Sequence, residues 1–311
     1  MTASLLLTGS ADDPSGRPDA GDSLGGPDAS RGAPLIMPAV EYHAIKALSA
    51  GMIWTMDSEC PLKAWLASPW NPDREPENAT HFDIGTAAHL AVLEPHLLAE
   101  RVHAHGYDDY RTTAAKEARA AAYEAGKTPL KPAEFAMVEG MQKAIQSHRM
   151  AKSLFGKGVA EGTLTWEWNG LPCKCRPDFL PKTHGSWMVD LKTTTTANPK
   201  AVARKAANDG WFVRAAWYMN GYREVTGILP AKYLFVVVEV DAPHMIEIYE
   251  LDERALVYGE QIIARTLKRA VDCIRTGHWP SYGDGGITKL ALPAWAEFQR
   301  AEREEDGEFG E

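Results

Sequence analysis

The sequence predicts a mixed α/β chain, a central β-sheet flanked by helices, most simply in one domain. Three observations lead there. Helix-spaced apolar residues dominate up to about residue 153; short β-forming stretches joined by a strong hairpin signal crowd residues 163–192; helical and strand-like stretches then alternate to residue 276. Local hairpins together with strands reached through helices imply a mixed sheet with helical layers packed on it.

The elements follow in order. Residues 1–36 are rich in Gly, Asp, Ser, Pro and Ala and poor in aromatic and β-branched residues, which predicts a disordered tail with order starting near Met37. Residues 49–68 carry Ile53, Trp54, Leu62, Trp65 and Leu66 at helical spacing, interrupted by Pro61 and stopped by Pro69. After a polar loop over residues 71–78, HFDIGTAAHLAVLEP (residues 81–95) reads as a helix closed by Pro95. Its Gly85, Ala87 and Ala88 are small enough to admit a neighbouring backbone. Residues 114–153 have helical composition, broken near Pro129 and Pro132.

The pattern then changes. Residues 163–168 (TLTWEW) form a strand, Asn169-Gly170 a hairpin turn, residues 171–180 a second strand and residues 187–192 (WMVDLK) a third. Helices are predicted over about 199–208 and 211–226. The continuous apolar run 233–240 suits a strand buried on both faces, with a partner at 245–251. Asp252 is placed to cap a last helix reaching about Thr276.

Composition excludes several classes. The chain has 311 residues, 45% of them apolar, four cysteines and no apolar run of membrane-spanning length. No Lys or Arg precedes its first short apolar stretch, so the N-terminus does not read as a secretory signal. A reducing cytoplasm is the expected setting. Net charge is −9, but residues 1–36 hold five acids against two bases and residues 297–311 seven against two. The body over 37–296 is therefore near neutral, with an acidic tail at 297–311, and charge neither supports nor excludes nucleic acid.

The chemistry centres on Arg176-Pro177-Asp178, an eleven-residue gap, and Asp190-Leu191-Lys192. Side chains alternate along a strand, so Asp190 and Lys192 share a face while Leu191 points away. Asp178 lies near the end of the preceding strand, which pairs antiparallel with that of Asp190. Two clustered carboxylates repel unless one is protonated or a cation lies between them. A hard divalent ion fits, taking oxygens from both acids and from the Leu191 carbonyl, activating water and neutralising phosphate charge. Lys192 can orient that water and stabilise the transition state. Taken alone, such a pattern is more often a solvated turn acid and a surface Asp–Lys pair. The apolar strand around Asp190 makes an unpartnered carboxylate costly and favours the site.

With these residues in view the chain resembles the RecE-type exonucleases (exodeoxyribonuclease VIII) of the PD-(D/E)xK superfamily, common in phages and prophages. GLPCKCRPDFLP, WMVDLKTT, VRAAWYMNGY and GHWPSYGDGGITKLALPAWA carry the resemblance, which runs from about Ser49 to Trp295. It implies a restriction-endonuclease-like core with Asp178 and Asp190 as metal carboxylates, the Leu191 carbonyl as a further ligand and Lys192 as catalytic lysine. His89 matches a histidine that joins the metal site in such enzymes; read without the family, a lone helical His is more often a core or surface residue. Glu161 resembles an acidic position upstream of the strands, or is a plain strand-entry residue. Tyr218 and Tyr222 fit a helix where the family usually has Gln-x-x-x-Tyr, with Arg214 in the glutamine position. The resemblance implies that Tyr218 and Arg214 contact DNA, Arg214 by gripping phosphate, against plain helix–sheet packing for Tyr218.

Lys200, Arg204 and Lys205, with Arg214, either hold a DNA backbone or form a solvated helix face. Trp54 and Trp65 either stack on a DNA end or pack in the core, and packing is favoured for them and for Trp217. Cys60, Cys173, Cys175 and Cys273 lack the spacing of an iron–sulfur or zinc site. The remaining histidines His103, His105, His184, His244 and His278 show no ligand spacing. The resemblance further implies Mg²⁺ (or Mn²⁺) dependence, 5′-to-3′ digestion of double-stranded DNA ends, 3′ single-stranded tails, a RecT-type annealing partner, and a ring-shaped homo-oligomer such as a tetramer. Alternatives are an endonuclease or flap nuclease on the same core, or a binding module with a vestigial site.

Overall fold

The computed structural model describes residues 32–74, 83–182 and 186–305. In chain order they form α1 (Ala39–Ala44), α2 (Ala50–Ser58), α3 (Pro61–Leu66), α4 (Asp83–Leu93), α5 (Leu98–Arg101), β1 (Val102–Ala104), α6 (Thr113–Glu124), β2 (Thr128–Leu130), α7 (Pro132–Ser147) and α8 (Arg149–Leu154). There follow β3 (Gly158–Ala160), β4 (Leu164–Trp168), β5 (Leu171–Cys175), β6 (Phe179–Pro181), β7 (Trp187–Thr194), α9 (Pro199–Asn208), α10 (Trp211–Thr226), β8 (Lys232–Glu239), β9 (Ile246–Glu250), α11 (Glu253–Thr276) and α12 (Ala294–Glu305).

The central sheet has the order β3-β6-β7-β8-β9. It is mixed, as the sequence predicts: β7 and β8 run parallel and the other neighbours antiparallel. Because β7 and β8 lie in the middle, both their faces are buried. Val189, Leu191, Val236 and Val238 point into a layer with Ala87, Ala88 and Ala91 of α4 and Val138, Met141 and Ile145 of α7. Met188, Tyr233, Phe235 and Val237 point into the opposite layer, with α2, α10 and α11. Alternation puts Asp190, paired with Phe235 across the ladder, on this second face. The three small α4 residues are fully buried, and they let this helix lie close on the sheet.

Helices α9, α10 and α11 lie where the sequence predicts them. The Asp252 carboxylate accepts from the Ala255 N–H at 2.7 Å and caps α11, and Gly277 ends it at φ 70°. Helix α10 is apolar nearly all round because it is wedged between the sheet, the β4–β5 hairpin, α2 and α11.

Several expectations are corrected. The strand predicted over 171–180 breaks at Arg176-Pro177-Asp178: β5 pairs with β4 and bridges Leu48, whereas β6 belongs to the central sheet. Pro177 has no N–H to donate, so the ladder stops and the chain changes sheets there. The predicted three-strand meander is thus split between two sheets. The short β1, in a stretch for which no element is predicted, pairs in parallel with β2, which falls at the predicted break near Pro129; three-residue strands leave no alternation to read. Leu35 and Thr163 exchange backbone hydrogen bonds of 2.8 Å, two residues ahead of the expected start of order. Residues 294–305 of the C-terminal region are helical, with no buried residue. The disorder expected for residues 1–31, the start of the predicted helix at His81 and Phe82, part of the turn at 183–185 and residues 306–311 lie outside the described residues.

Helix α11 approaches α10 closely at Gly259, where a Cβ would stand 2.5 Å from the Phe212 carbonyl oxygen. Backbone cannot yield as a flexible side chain does. Gly259→Ala is therefore expected to destabilise the protein by about 1–3 kcal/mol, read as a lower urea midpoint. An unchanged midpoint would show that α11 slides freely on α10.

Candidate active site

The break at Pro177 that divides the two sheets also builds the site. Phe179 pairs with Val189, which brings Asp178 level with the Asp190 segment of β7. There the Asp178 Oδ2 accepts the Leu191 N–H at 2.7 Å, a bond that a strand carbonyl would otherwise make. Two residues along the same face from Asp190, the Lys192 Nζ contacts Asp190 Oδ2. From α4, His89 directs Nε2 to Asp178 Oδ2 at 3.3 Å and Nδ1 to the Gly85 carbonyl at 2.9 Å. Helix α4 comes this near because Gly85 lacks a Cβ, which would lie 3.2 Å from Thr193 Oγ1.

Electrostatics separates the two acids. Burial pushes the Asp178 carboxyl up, but the His89 hydrogen bond and charge, the Lys192 charge and the Leu191 N–H outweigh it and hold the pKa at about 2. Burial lowers that of His89, yet both ring nitrogens face oxygen acceptors and the net result is a rise to about 8. Asp190 is raised by burial and then by the nearby Asp178 charge, against the pull of Lys192 and Arg214. It is fully buried, and both its oxygens lack a hydrogen bond of regular geometry. Among the described residues its counter-charges are Lys192 and Arg214, the latter with Nη1 3.9 Å from Oδ1.

Glu161 belongs to the same neighbourhood. Its N–H donates to the Asp178 carbonyl at 3.0 Å from a left-handed backbone (φ 52°), and its carboxylate pairs with Arg176 Nε at 2.7 Å. Burial, then the Asp178 charge, raise its pKa to about 7. Above these groups opens a cleft of about 950 Å³, lined by residues 36–39 and His43, by one face of α4 from Gly85 to Leu93 with Glu94 just beyond it, and by Arg101, Glu161, Arg176, Lys192, Thr193 and Arg214. Asp178 and Asp190 lie below this lining, with Lys192 and His89 between them and the opening. The α1 wall is tied down by the buried Lys174, whose Nζ donates to the Tyr42 and Ile45 carbonyls at 2.8 and 2.9 Å.

The donor chemistry fits a hard divalent cation. Two buried carboxylates flank the Leu191 main chain, and those of Asp190 have unmet acceptor capacity. Among the described residues no three His, Cys, Asp or Glu side chains gather to hold a metal. A hard divalent ion binds through one or two carboxylates and completes its shell with water and phosphate oxygens, and these two acids could supply its protein ligands. All four cysteines are free and buried, as packing residues.

Asp178, Asp190, Leu191, Lys192, His89, Glu161 and Arg214 are therefore brought together. Other candidates are not. Lys200, Arg204 and Lys205 are exposed on α9 and do not line the cleft. The α9 amphipathic pattern shows which face is wet but not where that face points. Tyr218 and Tyr222 are buried in the core, Tyr218 edge-on to Tyr233 at 6.2 Å, so neither meets a strand lying in the cleft. Trp54 packs edge-on against Phe212, and Trp217 donates Nε1–H to the Lys174 carbonyl at 2.9 Å. Sequence reasoning missed Arg176 as a cleft residue, although it stands inside the Arg-Pro-Asp motif; Arg101 and His43 carry no signal.

Two buried acids and a lysine on adjacent strands of a mixed sheet, clamped between helices, define a PD-(D/E)xK-like protein. The chain belongs to the family described as "PDDEXK-like domain of unknown function (DUF3799)", whose profile matches residues 45–288. No curated protein matches. Among solved structures, a "putative exonuclease" from Eubacterium rectale superposes with a TM-score of 0.56 at 13% identity, covering 83% of this chain and 95% of that one. At that identity the likeness shows the fold alone. A structure titled SSO0001 matches at 14% identity over 60% of this chain and 85% of its own, with a TM-score of 0.26, and carries no weight.

In metal-free protein the His89–Asp178 pair predicts a pH dependence. The folded pKa of His89 lies above its ordinary value of 6.5, at about 8. Its contribution is thus complete below about pH 6.5 and lost as pH rises through about 8. Urea unfolding in EDTA should show wild type more stable than His89→Gln at pH 6, with the gap shrinking by pH 9. A gap that is constant or grows with pH contradicts the pairing.

Proposed function

We propose that this protein is a metal-dependent nuclease that hydrolyses double-stranded DNA from its ends. The observation that carries the proposal is the buried Asp178–Asp190 pair with Lys192, set beneath a cleft bearing Arg101, Arg176 and Arg214. A divalent cation held by Asp178, Asp190 and the Leu191 carbonyl supplies charge neutralisation at phosphate and a more acidic water.

The remaining work falls to the chain. His89, bonded to the Gly85 carbonyl and to Asp178, fixes the orientation of that carboxylate. Lys192, immobilised on a central strand, aims its ammonium at the reacting phosphate and orients the attacking water. Arg214 offers a phosphate grip from α10. The Glu161–Arg176 pair steadies the Asp178 main chain through the Glu161 N–H. The cleft is open, as a polymer substrate requires.

The finer reading rests on the resemblance to RecE-type enzymes. It comprises 5′-to-3′ digestion leaving 3′ tails, Mg²⁺ or Mn²⁺ as the ion, a RecT-type annealing partner, a ring-shaped homo-oligomer such as a tetramer, and the cytoplasm of a bacterial host. The nuclease body is assigned to residues 37–296. Among the described residues no helix is long and apolar enough to cross a membrane.

Linear duplexes labelled separately at the 5′ and 3′ termini, with and without Mg²⁺, test activity, metal need and direction together. Release of the 5′ label first, only with Mg²⁺, is the expected result. Asp190→Ala should cut the rate by about 10³-fold, equivalent to several kcal/mol of lost charge stabilisation at 1.36 kcal/mol per tenfold. Cleavage of closed circles points to an endonuclease. No Mg²⁺-dependent cleavage of any duplex, with DNA binding intact, points to a binding module.

A further inference from the structure

Two cations face Asp190, and they differ in kind. Lys192 stands on the same strand, two residues on, with 16% of its side chain exposed. Arg214 arrives from α10 with 39% of its side chain exposed, opening into the cleft. Its Nη1 stands 3.9 Å from Asp190 Oδ1, too far for a hydrogen bond, so the contact is one of charge alone. A buried carboxylate without charge compensation is very costly. Arg214 supplies part of that compensation from a long side chain that also lines the cleft where a phosphate would lie.

We infer that Arg214 is a charge placeholder for Asp190: it competes with a divalent cation for this carboxylate and is drawn off by a DNA phosphate entering the cleft. The inference rests on reading Asp190 as a metal carboxylate. With Arg214 over Asp190, a cation meets a like charge a few ångströms away. With Arg214 on a phosphate, that repulsion is cancelled by the anion. Cation and DNA therefore bind with positive cooperativity, each preferring the arrangement the other creates. Metal loading is weak in free protein and strong on substrate, so the site acquires its ion where it is used. Arg214 is here a positioning residue, acting through Asp190.

The test uses the full chain without activity as the readout. Mn²⁺ binding is followed by titration calorimetry in the absence of DNA, and binding of a short duplex by fluorescence anisotropy in EDTA. Arg214→Gln should bind Mn²⁺ about tenfold more tightly than wild type, the scale set by removing one charge a few ångströms away in a wet cleft. The same variant should bind duplex more weakly, with a salt slope shallower by about 0.9 for one lost phosphate contact. Arg214→Lys, which keeps the charge, should restore wild-type behaviour in both assays. Opposite signs for ion and DNA are not what a merely structural role produces. Equal or weaker Mn²⁺ binding by Arg214→Gln, or unchanged DNA binding, overturns the placeholder. Asp190→Asn should abolish Mn²⁺ binding in either background; if binding survives, the metal reading of Asp190 fails instead.

Discussion

Burying two mutually repelling carboxylates side by side at a β-sheet is the constraint around which this protein is organised. Neither acid is tolerated alone in such a place, and the chain answers with a different device for each. Asp178 is satisfied by hydrogen bonds, from the Leu191 N–H and from His89, and is held firmly ionised. Asp190 is met by cations alone, Lys192 in direct contact and Arg214 farther off, and burial pushes its carboxyl up. The asymmetry separates an anchored acid from an adaptable one.

The surrounding architecture serves this pair. Pro177 interrupts the ladder so that a side chain, and not a carbonyl, meets the Leu191 N–H. Small residues on α4 bring a histidine to the sheet surface, and the alanines that permit it are also the layer covering Leu191 from behind. Beyond Lys192 the chain is pinned again: the Ala197 N–H donates to the buried Glu239 carboxylate at 2.7 Å, and the Tyr249 hydroxyl donates to the Ala197 carbonyl. Both ends of the segment bearing Asp190 and Lys192 are thus fixed to the neighbouring strands, and rigid support of this sort preorganises a site. The cleft wall at α1 depends on Lys174, whose pKa burial lowers to about 8, spent wholly on two carbonyls.

Some of this is legible along the chain. The period-2 alternation of WMVDLK puts Asp190 and Lys192 on one face. Asn169-Gly170 marks the hairpin, Asp252 and Gly277 bracket α11, and the run 233–240 announces a doubly buried strand. These are local signals set by neighbours within a few residues. Other features escape: the parallel pairing of β1 with β2 spans more than twenty residues and uses strands too short to show a period. The division of 171–180 between two sheets depends on where β4 and β7 lie, although Pro177 marks the point where it happens.

The site divides along the same line. By itself the sequence placed Asp190 and Lys192 on one face of a strand and Asp178 beside them, because strand alternation and a short turn leave little freedom. Tertiary structure decided which of the cations distant in sequence reach them. It chose Arg214 over Lys200 and Arg204, sank Tyr218 into the core, brought Arg101 and Arg176 to the cleft, and placed His89 on Asp178. An amphipathic helix shows which of its faces is wet, but the azimuth and depth at which it docks on the sheet come from packing against elements a hundred residues away. Charge partners chosen by that packing have no signature in local spacing.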